Sequence, residues 1–98
     1  MEEKVKEIIR AAIEELNEQL EMDRKIEYGE DLRLVGSRSA LDSISFVTLV
    51  AIIEDLIGER LDQNIIIVSD KAFSQERSPF FSVATLSDHI LALLKEEN

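Results

Sequence analysis

Asp42 and Ser43 stand side by side where a polar stretch, Gly36-Ser37-Arg38-Ser39, gives way to the apolar run LDSISFVTLVAIIEDLIG from Leu41 to Gly58. Two kinds of chemistry suit that place. Either side chain can cap the helix that the run predicts, by accepting from its orphan amides. The same helix start offers free backbone N–H groups and the positive end of the helix dipole, a good setting for a phosphate. The Ser43 hydroxyl is therefore a candidate to carry a phosphodiester-linked group. The plainer alternative is a capped core helix, and because caps are common the choice depends on the rest of the chain.

Other chemistry is scarce. There is no cysteine, so disulfides, thiolate metal sites and cysteine nucleophiles are excluded. The one histidine, His89, rules out a His-based metal cluster and reads as a packed or boundary residue beside Leu86. The chain has no glycine-rich phosphate loop, no G-x-S-x-G elbow and no Asp-x-Asp-x-Asp-Gly calcium loop. A small bundle of this size leaves little room for a substrate cleft. The expectation is a protein that carries, binds or scaffolds, not an enzyme, with no metal.

The elements that must position Ser43 follow from periodicity. Residues 2 to 20 place Val5, Ile8, Ile9, Ala12, Ile13, Leu16 and Leu20 at helical spacing, with Glu2, Lys6, Glu7, Arg10, Glu14 and Glu18 opposite. From Glu21 to Asp42 the pattern fades around Gly29 and Gly36, while Leu32, Leu34, Val35 and Leu41 are spaced to tuck into a core. A second helix is expected from Ser43 to a stop at Gly58, apolar on nearly every side, so it is either central or keeps one face for a partner. Ile65-Ile66-Ile67-Val68 reads as an extended linker dropping side chains into a helical core, since no strand is evident to pair with it. Ser69 to Phe73 predicts a short third helix, and Ser78-Pro79-Phe80-Phe81 a rigid turn. A last helix is expected from Thr85, with Asp88 three residues on, to about Lys95, its stripe being Leu86, Ile90, Leu93 and Leu94. The predicted fold is all-α: a small four-helix bundle with three long helices, a short third helix and a long first loop, in one domain over residues 1–98.

Charge narrows the partners. Lys and Arg number 11 against 21 Asp and Glu, a formal charge of −10. Such a surface repels phosphate backbones and anionic lipid, so neither nucleic acid nor a membrane is an expected partner. It favours basic patches on other proteins. No apolar run is long enough to span a bilayer, and MEEKVKEIIR lacks an apolar signal-peptide core, so a soluble cytoplasmic protein is expected.

At this point the residues match a known layout. Asp42-Ser43-Ile44, followed without a gap by Val47, Leu49, Val50, Ile53 and Glu54, resembles the Asp-Ser-Leu signature and recognition helix of acyl carrier proteins. The order of helix, long loop, Asp-Ser helix, short third helix and final helix covers almost the whole chain. The resemblance is to specialised, stand-alone bacterial carriers. It implies that Ser43 takes a covalent 4'-phosphopantetheine from coenzyme A by way of a phosphopantetheinyl transferase, with Asp42 serving recognition by that enzyme. The arm's thiol would hold an acyl, hydroxyacyl or aminoacyl group as a thioester for fatty acid, lipid, lipopolysaccharide or related biosynthesis. Ile44, Val47 and Ala51 fall on the family's partner-facing positions, and Glu54 and Asp55 on its acidic ones. The implied partners are acyl-activating and acyl-transferring enzymes with basic docking patches, and the implied state is a monomer. Departures are Ser45 and Thr48, which stand where carriers of bulk fatty acid synthesis have acids, and longer segments at 36–41 and 62–83.

The competing reading is a helical adaptor or dimerisation module without a prosthetic group, in which Ser43 is only a cap and the second helix buries its extra apolar face against a partner. It expects an unmodified, stable oligomer.

Overall fold

The structure is a computed structural model, and it describes residues 2–20, 26–29, 31–34, 41–68 and 82–97, apart from the side chains of Ser43 and Glu97. Among the described residues the chain is all-helical, with three helices and no strand: α1 (Glu2–Gln19), α2 (Ser43–Leu61) and α3 (Val83–Glu97). The expected short helix at 69–73 and the turn at 78–81 lie outside the described residues, as does Val35.

α1 forms as its spacing predicts. Val5, Ile8, Ile9, Ala12, Ile13 and Leu16 are buried on one face. Glu2 and Glu3 complement the dipole in the first turn, and Lys6 pairs with Glu2 at 3.5 Å one turn apart. α1 is the hub of the bundle, packing against both α2 and α3.

Part of the first loop is tied to α1 by side chains. Asn17 donates from Nδ2 to the Ile26 carbonyl at 2.7 Å and accepts from the Ile26 amide at 2.9 Å. This satisfies both backbone groups of a buried residue where no strand partner is at hand. The Arg10 guanidinium lies over the Tyr28 ring, 4.7 Å from its centroid. Leu34 and Leu41 are buried as expected, and Leu32 packs partly buried against the core.

α2 runs past the expected stop. Gly58 lies inside the helix, which continues to Leu61 and ends at Asp62 in the left-handed region (φ 54, ψ 40). Asp is among the few non-glycine residues that adopt this conformation readily, so the cap did not need Gly58. Leu49, Val50, Ile53 and Ile57 are buried, while Phe46, Ile52, Leu56 and Leu61 pack partly buried around them.

The last helix also starts earlier than expected. Ser82, not Thr85, is the residue before it, and the two form a reciprocal pair. Thr85 Oγ1 accepts from the Ser82 amide at 2.9 Å, and Ser82 Oγ accepts from the Thr85 amide at 3.3 Å. This is a capping box with Thr in the place of the usual Glu or Gln. The loop reaches this helix start through an antiparallel bridge between Arg33 and Ser82, and the Val83 amide donates to the Leu32 carbonyl at 3.1 Å. Val83, Leu86, Ile90 and Leu94 bury the inner face.

After Asp62 the chain is neither helix nor strand through Ile66 and bends at 67–68, and it drops apolar side chains into the core as the sequence suggests for 65–68. Ile65 and Ile67 are buried and Ile66 is exposed, an alternation of inward and outward side chains.

Candidate functional site

The start of α2 is organised by Asp42. Its backbone is extended (φ −82, ψ 176), and its Oδ1 accepts from the Ser45 amide at 2.7 Å. Its carbonyl accepts the first helical bond, from the Phe46 amide at 2.9 Å. Asp42 is therefore the N-cap, and a carboxylate there also complements the helix dipole. Of the two candidate caps read from the sequence, this one holds the position. Ser43 is the first residue of the helix; its side chain lies outside the described residues.

The residues adjacent to position 43 are both exposed. Asp42 is exposed, and Ile44 is 79% exposed. Leu41, on the other side of the cap, is buried and fixes the chain to the core. With both adjacent residues exposed, the chain here is compatible with a covalently attached group.

From this point an apolar strip descends α2. Val47 is 64% exposed, and Ala51 is exposed one turn further on. The spacing of Ile44, Val47, Ala51 and Asp55 returns to one helix face every turn. Asp55 is exposed and closes the strip with a carboxylate. The strip's early half is neutral, and the Thr48 hydroxyl donates to the Ile44 carbonyl one turn back at 2.9 Å.

Glu54, the other acid read as facing partners, has an internal bond. It is half-buried, and its Oε2 accepts from the Ile67 amide at 3.0 Å. On the far side of Ile67, His89 of α3 donates from Nε2 to the Ile67 carbonyl at 3.0 Å. His89 is thus a packed residue joining α3 to the 62–68 segment. Sequence reasoning missed Ile66, which is 72% exposed next to this double anchor. Its exposure follows from register alone, and nothing within Ile65-Ile66-Ile67-Val68 says which residues face inward.

Among the described residues no group of three or more His, Asp or Glu could hold a metal ion. Nor is any helix among them long and apolar enough to cross a membrane. Comparison of the chain with protein-family models, with curated proteins and with solved structures gives no match.

Proposed function

We propose that the protein is a phosphopantetheine-dependent acyl carrier with Ser43 as the attachment residue. The observation that carries this reading is the division of labour at the start of α2. Asp42 provides the cap, so the helix does not require Ser43 for that purpose, and the adjacent residues Asp42 and Ile44 are exposed. In the attachment step the Ser43 hydroxyl gives up its proton and its oxygen forms a phosphodiester at the coenzyme A pyrophosphate; adenosine 3',5'-bisphosphate leaves. When bound, the group supplies the thiol that a chain without cysteine lacks, and holds an acyl, hydroxyacyl or aminoacyl cargo as a thioester.

The chain's own residues have simpler duties. Asp42 fixes the backbone at the attachment point and presents a carboxylate to the transferase. Ile44, Val47 and Ala51 offer apolar contact to the enzymes that load and unload the cargo. Asp55 and the general negative charge favour enzymes with Lys and Arg around their docking patches. Glu54 contributes to that field while holding Ile67. Weak, charge-assisted docking of this kind lets several enzymes take turns.

In this reading the protein is a cytoplasmic monomer, and a short helix over Ser69 to Phe73 would complete a four-helix bundle. The adaptor reading uses the same apolar strip but treats Ser43 as a cap, a duty that Asp42 performs. Transfer of one phosphopantetheine from coenzyme A, read by intact mass with Ser43→Ala as control, tests the proposal.

A further inference from the structure

Among the described residues, the large apolar side chains left exposed are Ile44, Val47 and Ile66. Single exposed isoleucines are ordinary. Ile66 differs in how it is held and where. Its neighbours Ile65 and Ile67 are buried. The backbone of Ile67 is gripped from both sides, by Glu54 through its amide and by His89 through its carbonyl. Ile66 is therefore presented to solvent from an anchored stretch of chain.

The helix register fixes its position relative to the attachment point. Ser43, Val47 and Glu54 are separated by four and then seven residues, steps that return the backbone to one flank of an α-helix. Glu54 lies about 16 Å along the axis from Ser43. The attachment point, Val47 and the residue that holds the 62–68 segment thus share one flank, with Ile66 at its lower end. A partner covering about 800 Å² on this side spans that length.

We propose that Ile66 is a second apolar contact, beyond α2, for the transferase that acts at Ser43. The inference rests on the carrier reading. The partner's chemistry follows from the rim. Asp42 is exposed at the start of α2 and Asp62 at its end. Together with the net charge of −10 they call for an apolar contact surface fringed by Lys and Arg. A second copy of the chain brings the same negative charge to the face and is the poorer occupant.

The test uses the full chain as the substrate of a broad-specificity phosphopantetheinyl transferase, with coenzyme A and magnesium. KM and kcat are measured for wild type, Ile66→Ser and Ile66→Thr. The expected result is a KM raised about three- to tenfold for both variants, the range of a moderate interface residue. kcat and the unfolding midpoint should be unchanged. Efficient modification of the wild type with KM unaltered in both variants overturns the role of Ile66 and leaves the carrier reading standing. No modification of the wild type overturns both. A wild-type dimer that Ile66→Ser converts to a monomer also overturns the proposal, because it assigns the face to a second copy.

Discussion

The Glu54 carboxylate on α2 accepts the backbone N–H of Ile67, thirteen residues further along the chain, at 3.0 Å. Ile67 is fully buried, so its amide has no ready access to water as an alternative partner. With His89 bonded to the carbonyl of the same residue, one backbone unit joins α2 to α3. This joint links two helices that otherwise meet each other only marginally, each packing chiefly on α1.

Removing the acceptor should therefore be costly. Glu54→Ala is expected to destabilise the fold by about 1–3 kcal/mol, the penalty of an unpaired buried amide. Glu54→Gln keeps a carbonyl oxygen in reach and should lose less. Urea denaturation measures the difference, and amide exchange at Ile67 should accelerate in the alanine variant.

The assignment of the cap gives a paired prediction at the start of α2. Asp42→Ala is expected to cost about 0.5–2 kcal/mol, with Asp42→Asn retaining most of that stability. Ser43→Ala should stay within about 0.5 kcal/mol of wild type, as substitutions without a structural duty do. Denaturant unfolding of the three variants checks the order; a larger loss for Ser43→Ala than for Asp42→Ala would contradict it.

Gly58 occupies a helix interior, where glycine is entropically unfavourable. A Cβ there would meet only the Gln63 carbonyl oxygen, at an ordinary 3.9 Å. Gly58→Ala should stabilise the protein by about 0.4–1 kcal/mol, seen as a higher midpoint in thermal or chemical unfolding.

Ser87 is buried on α3, and its hydroxyl has no hydrogen-bond partner among the described residues. Ser87→Ala removes a desolvated polar group at little loss of volume and should raise stability by about 1 kcal/mol. A marked loss of stability would mean that the hydroxyl has a partner in solution.

The sequence was most legible where one local rule acted alone. Helical spacing from Val5 to Leu16 marked the buried face of α1, and the Asp42-Ser43 pair marked the start of α2. Where two residues competed for one duty, local rules chose badly. Gly58 read as a stop, yet Asp62 adopts the left-handed turn and the helix gains another turn. Thr85 read as a cap because Asp88 follows it, while Ser82 and Thr85 cap each other. The bonds from Glu54 and His89 to Ile67 join residues 13 and 22 positions apart and had no local signal. Consequently Glu54 read only as a surface acid, and Ile66 was indistinguishable from the isoleucines on either side.

The attachment of a prosthetic group to Ser43 is what everything else in the functional account depends on. Incubation of the purified protein with coenzyme A, magnesium and a broad-specificity phosphopantetheinyl transferase, followed by intact mass, tests it in one step. The carrier reading predicts a gain of one phosphopantetheine in the wild type and none in Ser43→Ala, with both proteins equally folded. Failure of the folded wild type to gain mass with several transferases would contradict it, as would an equal gain in Ser43→Ala.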